Sequence, residues 1–304
     1  MPVTPKEENM TKLADLYRGR SGKISDKWKI YLDEYEEKFK SYEDKKINLL
    51  EIGIANGGSL EIYGKYFPNA ELILGCDIDE KCRDLAYIEP NIKVIVGDAT
   101  DDGTYKKIAE YPKFDIIIED GSHTSPDVVR TFCKYFDRLN DGGLFIFEDL
   151  HCSYWQGYTG GLFHPLSSIN FFKRLIDVIN HEHWGVGKKR DWLLKIYALN
   201  YGIDLSSLQL ESIHSIEFVN SLCFIRKKKA VDNCLGTRIV AGEVAIIDDR
   251  ALRLGGTISI APNQTSNQWT NRDLTPDEEL ISCKRQLKEL QEKISSGVNL
   301  NSNL

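Results

Sequence analysis

The chain has 304 residues, 41% of them hydrophobic and 28% charged, with a formal net charge of -7. That length can bury one large core, or a core with an appendage, and the acidic balance excludes broad electrostatic binding to nucleic acid or an anionic membrane. No apolar run approaches the roughly 18 residues needed to cross a bilayer, and seven scattered cysteines without a CxxC pair argue against a disulfide framework or a Cys-rich zinc site. The opening MPVTPKEENMTKLADLYRGR is too charged for a secretory signal. A cytoplasmic protein with reduced thiols is expected.

Residues 1–46 read as a helical cap containing SDKWKIYLDEYEEKF. Five short apolar runs follow: INLLEIGI, AELILGCDI, IKVIVGDA, FDIIIEDG and GGLFIFEDL. They are near-continuous rather than alternating, as expected of strands buried on both faces. Helical segments separate them, as at 59–66 and 127–139, so the alternation predicts a doubly wound, mostly parallel α/β sheet with helices on both faces. Ligands of such sheets sit beyond the carboxyl ends of the strands. Here those ends read Glu51/Gly53, Asp77/Asp79, Asp98, Asp120 and Glu148/Asp149, acid at every one.

The first strand runs into a glycine turn and a helix start, LLEIGIANGGSLEIY. Glycines there let the backbone approach a ligand. Ala55 stands where a dinucleotide loop GxGxxG would have its middle glycine. Glu51 would repel a pyrophosphate but suit a cationic cofactor. Asp77 is placed for ribose hydroxyls, and Asp98 for an adenine amino group or nearby backbone.

Asp120 ends the fourth strand, and Glu148 and Asp149 end the fifth. Three carboxylates brought together would repel one another unless one took up a proton. A divalent cation resolves that conflict, and an all-oxygen set suits Mg²⁺, with Mn²⁺ as a substitute. Helix capping and salt bridges are the plainer use of the same acids. His123, three residues past Asp120, is a candidate base, since imidazole with an ordinary pKa of about 6.5 suits proton removal at neutral pH.

The loop HCSYWQGYTGGLFHP follows. Tyr154 and Trp155 could stack on a sugar or pack as core, and His151 is a second candidate for substrate contact or proton transfer. A helix from Ser167 to about Asn180, another around 191–199, and a hairpin SIEFVNSLCFIRKKK with an Asn-Ser turn complete this part, the last strand being antiparallel. Residues 230–275 show no clear period. In 277–296 the residues Leu280, Cys283, Leu287, Leu290 and Ile294 form a heptad seam about two heptads long. It reads either as a docked amphipathic helix or as a self-association element that would make a homo-oligomer.

The ordered motifs EIGIANGGS, GCDID, VGDA, FDIIIEDGSH and GGLFIFEDLHCSYW resemble those of class I S-adenosylmethionine-dependent methyltransferases. They resemble in particular the metal-dependent sugar O-methyltransferases of the macrocin and mycinamicin type, over about residues 20–228; residues 230–304 carry no such motif. The resemblance implies a Rossmann-like methyltransferase domain in 1–229 with a C-terminal extension in 230–304. It implies S-adenosylmethionine held by Glu51, Gly53, Asn56, Gly58, Ser59, Asp77, Ile78, Asp98, Ala99 and Asp120. Asp120, Glu148 and Asp149 would be metal ligands and His123 the base. Lys27, Trp28 and Tyr31 would close over the site, and the acceptor would be a sugar hydroxyl on a nucleotide sugar, polysaccharide or glycosylated metabolite. A catechol-type enzyme and a non-catalytic cofactor-binding scaffold remain as alternatives. Ala55 and Glu51 disfavour a dehydrogenase.

Overall fold

The computed structural model describes residues 11–19 and 22–295. Seven strands form one sheet: β1 (Asn48–Ile52), β2 (Leu72–Asp77), β3 (Ile92–Val96), β4 (Phe114–Glu119), β5 (Leu139–Phe147), β6 (Ile213–Val219) and β7 (Leu222–Lys227). Their order is β3-β2-β1-β4-β5-β7-β6, with β1 to β5 parallel and β7 antiparallel to both β5 and β6. The order reverses between β1 and β4, the switch point where a crevice opens at the strand ends of such sheets.

Alternation along each strand feeds two cores. From β1, Leu50 and Ile52 face one side and Leu49 the other. The first side is covered by α4 (Asp102–Ala109), α5 (Ser125–Tyr135), α6 (Ser168–Ile179) and α7 (Lys195–Tyr201). Its centre is Phe132, in ring contact with Phe136, Phe145, Phe147, Phe171 and Phe172. The second side is covered by α1 (Lys12–Arg18), α2 (Lys29–Phe39) and α3 (Gly58–Tyr66). On α2, Tyr31, Tyr35 and Phe39 recur at steps of four and are all buried, which is why this charged segment docks as a cap.

Past β7 the chain is irregular, with one isolated bridge between Thr237 and Ile258, until α8 (Pro276–Ser295). This helix is pinned at its start, where Asp277 accepts from Asn170 and pairs with Arg174. The residue it packs against the core is Ile281, one step off the heptad seam. Leu280, Leu287, Leu290 and Ile294 stay exposed in the single chain. Among the described residues no helix is long and apolar enough to cross a membrane.

Two glycines of the first turn are dictated by close packing. Gly53 has φ +88°, and a Cβ there would fall 2.0 Å from the Asp120 carbonyl oxygen. Gly58 lies against the cap, where a Cβ would come within 2.4 Å of the carbonyls of Lys23 and Ile24. Gly53→Ala should therefore cost more than the roughly 1–3 kcal/mol of left-handed strain alone. Urea unfolding would measure it, and a loss below that range would mean that the two strand tips can move apart.

Candidate active site

The strand tips, the glycine turn and the cap enclose a cavity of about 650 Å³. That lies in the usual range for a small-molecule or cofactor site. Glu51, Gly53, Asn56, Ser59, Asp77, Ile78, Asp98, Ala99 and Asp120 all line it, as do Glu148, Asp149, His123, Lys27 and Trp28. Of the residues expected to touch a cofactor, Gly58 does not line it and instead seats the cap.

The floor of the cavity is set by hydrogen bonds. Asp77 Oδ2 accepts from the amides of Ile54 (2.9 Å) and Ala55 (2.8 Å), and Oδ1 from Asp79 (2.9 Å), so this carboxylate shapes the glycine turn. Asp98 Oδ1 accepts from the amide and hydroxyl of Thr100, both at 2.8 Å. Ser59 Oγ donates to buried Glu51. Ile78 is exposed and forms an apolar lip next to Asp77.

At the centre sits the Lys27 ammonium. Its side chain is only 3% exposed, and Nζ lies 2.5 Å from Asp120, 2.7 Å from Glu148 and 3.6 Å from Glu51. Burial works against its charge, but Glu148, Asp120 and Glu51 outweigh that and hold its pKa well above the ordinary value. Glu148 also accepts from Tyr35 Oη at 2.5 Å. Burial still pushes the Glu51 carboxyl up to about 7 and that of Glu148 up to about 8, with Lys27 opposing the shift in both. Lys27 was expected among acceptor contacts; the structure buries it among acids instead.

The expected ligand trio thus divides, with Asp120 in both halves. Glu51, Asp120 and Glu148 face one another around Lys27. On the outer side, ligand atoms of Asp120, His123 and Asp149 lie within 4.8 Å of one another, with His123 Nε2 3.6 Å from Asp149 Oδ2. This oxygen-rich set with one imidazole fits a hard dication. His123 Nδ1 is buried and has no hydrogen-bond partner.

Backbone strain concentrates here. Five non-glycine residues among those described have positive φ. Ala55, His123 and Asp149 line the cavity, and Ser221 touches residues beside it. Asp149 is held in that conformation from two sides. Its amide donates to Tyr31 Oη at 3.0 Å, while its Oδ1 lies 2.8 Å from the same hydroxyl and accepts from Trp28 Nε1 at 3.1 Å. Tyr31 is buried and reaches the site only through this contact and through Ser221 Oγ at 2.7 Å. Ser221 Oγ in turn lies 2.5 Å from His151 Nδ1.

Aromatic rings fence the mouth. Trp28 meets His151 edge-on at 6.1 Å, His151 meets Trp155 at 4.8 Å, Trp155 lies 6.0 Å from Tyr158, and Tyr158 lies 6.5 Å from His123. Trp155 is thus on the rim, half in solvent, while Tyr154 points into a separate cavity. Sequence reasoning gave no role to Glu119, Tyr35, Tyr158 or Ser221. Glu119 stood in the same EDGSH stretch as Asp120; the other three are legible only once α2, the loop and the hairpin are folded onto the tips.

Residues 50–150 match a family model described as a methyltransferase domain. The chain carries a methyltransferase domain. Among curated relatives it is 37% identical over 171 residues to 8-demethyl-8-alpha-L-rhamnosyl tetracenomycin-C 2'-O-methyltransferase of Streptomyces olivaceus, covering 53% of this chain and 44% of that one. It is 34% identical over 183 residues to demethylmacrocin O-methyltransferase of Streptomyces fradiae, covering 55% and 45%. The chain therefore spans under half the length of these relatives. Among solved structures, the MycE methyltransferase of mycinamycin biosynthesis, in complex with Mg, SAH and mycinamycin VI, superposes with a TM-score of 0.56 at 25% identity, covering 77% of this chain and 58% of that one. The methyltransferase fold thus extends well beyond residues 50–150.

Two measurements probe the buried charges of this domain. Lys27→Met should cost about 3–5 kcal/mol at pH 8, because it leaves acids buried without their counter-ion; a loss under about 1 kcal/mol would contradict that. Glu119 is buried, its Oε2 is unpartnered, and burial followed by the neighbouring Asp120 raises its carboxyl to about 8. A raised carboxyl binds its proton more tightly folded than unfolded, so its contribution is full below about pH 4.5 and is lost as pH climbs through 8. The slope is at most about 1.4 kcal/mol per pH unit. Glu119→Gln should flatten this fall in the ligand-free protein, and an unchanged stability-pH curve would refute the assignment.

Proposed function

We propose that the chain is an S-adenosylmethionine-dependent, Mg²⁺-dependent O-methyltransferase acting on a sugar hydroxyl. The observation that carries the reading is the meeting of Asp120, His123 and Asp149 at the edge of a cavity that also takes in the glycine turn, Asp77 and Asp98. The curated relatives named above are O-methyltransferases, two of them by name for glycosylated or macrolide compounds, and MycE was solved with Mg and SAH.

The cofactor would lie along Gly53, Asn56, Ser59, Asp77, Ile78, Asp98 and Ala99. Asp120 and Asp149 would hold the dication, with Glu148 or His123 completing the set. The cofactor supplies an electrophilic methyl group, and the dication supplies positive charge that makes a nearby hydroxyl more acidic. The remaining work falls to the chain. Asp77, already fixing the turn through backbone amides, offers its remaining lone pairs to ribose hydroxyls. Glu51, beside Ser59, presents negative charge to a cationic guest. His123 removes the acceptor proton, and His123 and Asp149 are held in strained backbone conformations that fix their aim. Trp28, Trp155 and Tyr158 offer ring faces to the apolar face of a sugar. The cap segment around Ile24 to Trp28 shields the reacting atoms from water. Holding donor and acceptor in line supplies the rest of the acceleration.

A panel of glycosides and nucleotide sugars with labelled donor tests the reading. Methyl transfer should vanish in EDTA and return with Mg²⁺. His123→Ala should lower kcat by about 10²–10⁴-fold, the usual worth of a general base, while S-adenosylhomocysteine binding is retained. Turnover unaffected by EDTA, or an active His123→Ala protein, would sink the metal and base assignments respectively.

A further inference from the structure

Behind His151 lies a second cavity, of about 340 Å³, that the methyl-transfer reading leaves unused. We propose that it receives an apolar aglycone carried by the acceptor sugar, so that the substrate is a glycoside of an aromatic or polyketide-like ring rather than a nucleotide sugar. This rests on the sugar O-methyltransferase reading above and narrows it.

The cavity has two apolar walls. On α6, Ile169, Lys173 and Ile176 recur at steps of four and three, so one stripe of the helix faces in. Opposite stand Phe218 and Leu222 on the β6–β7 hairpin, and the floor is Leu150 and Tyr154. Ile176, Phe218 and Tyr154 are all more than a third exposed, although each is large and oily. Such a concave apolar patch in water is what a ligand pocket looks like when its guest is missing.

The cavity is continuous with the site. His151 is one of its walls, and the same ring lies edge-on to Trp28, stacks by its edge on Trp155, and has Nδ1 3.8 Å from Asp149 Oδ1. A sugar held at Asp149 therefore directs its glycosidic substituent past His151. The wall is rigid, because Ser221 ties His151 to the hairpin and the Ser221 carbonyl accepts from the Leu150 amide at 3.0 Å. Charge also selects the guest. Lys173 lies on the stripe, and its stem extends the apolar wall while its ammonium stays in water. A nucleotide's pyrophosphate finds one ammonium here and two isoleucines beside it, whereas a flat hydrocarbon ring finds a surface of its own kind.

The test is direct binding to protein saturated with S-adenosylhomocysteine and Mg²⁺, by calorimetry, using 2-naphthyl α-L-rhamnoside and methyl α-L-rhamnoside as probes. The naphthyl compound should bind about tenfold more tightly or better, as burial of one aromatic ring implies. Ile176→Asn and Phe218→Ser, both at exposed positions that leave the core intact, should each remove most of that advantage and leave the methyl glycoside unchanged. Equal affinity of the two probes, no detectable naphthyl glycoside binding, an advantage that survives both substitutions, or equal weakening of both probes would overturn the proposal. Because the readout is binding, failure of methyl transfer would count against the reaction alone, and the aglycone pocket would stand or fall on these affinities.

Discussion

The ammonium of Lys27 amid Glu51, Asp120 and Glu148 is the contact on which the rest of the site depends. Three carboxylates at the tips of adjacent parallel strands are a consequence of the topology: β1, β4 and β5 are neighbours, and each ends in acid. Burying them without a cation would be prohibitive. Lys27 supplies that cation from the segment just ahead of α2, and so ties the cap to the sheet. Once it is seated, Trp28, Tyr31 and Tyr35 follow on the same side, each bonding to an acid of the fifth strand tip. The front wall of the cavity is in this sense electrostatic, while its back wall is ordinary aliphatic packing.

That arrangement also explains where the strain lies. Asp149 cannot both follow Glu148 down the strand and aim at His123, because successive side chains of an extended chain point to opposite faces. A left-handed turn at Asp149 breaks the alternation, and Tyr31 holds it in place. His123 has the same conformation after Asp120 and Gly121. The two residues face each other because both strand exits bend.

Much of this was legible in the sequence. Near-continuous apolar runs gave the strands, and acids at their ends gave the ligand edge, because both are local signals with a fixed period. The antiparallel hairpin was readable from its Asn-Ser turn, and the helix at 276–295 from its heptad spacing. What the sequence could not convey is which side of the acid cluster each carboxylate serves. Glu148 and Asp149 are adjacent in the chain, yet one faces Lys27 and Tyr35 and the other faces His123, a division made by α2, which lies more than a hundred residues away. Lys27 looked like a surface lysine in a charged segment, and only tertiary packing buries it. Ile281 rather than the heptad seam meets the core, since the angle at which α8 leaves Asp277 is set by Arg174 and Asn170.

The charge balance of the main cavity restricts what can enter it. Asp26, Glu51, Asp77, Asp98, Glu119, Asp120, Asp127, Glu148 and Asp149 line it, against the ammonium of Lys27. Even with Glu51, Glu119 and Glu148 holding protons part of the time, the remainder is strongly negative. A dinucleotide would bring two further negative charges to the glycine turn, where Glu51 stands. A sulfonium with an ammonium group, accompanied by a dication, brings positive charge to both ends of the same cavity. Coulomb energy in a partly dry site amounts to several kcal/mol per pair at contact distance, on the order of 4 kcal/mol at an effective dielectric of 20. Selection between the two kinds of guest therefore needs no special contact: the acids that the strand order gathers are sufficient, and Lys27 leaves enough of them uncompensated for the cavity to favour cations.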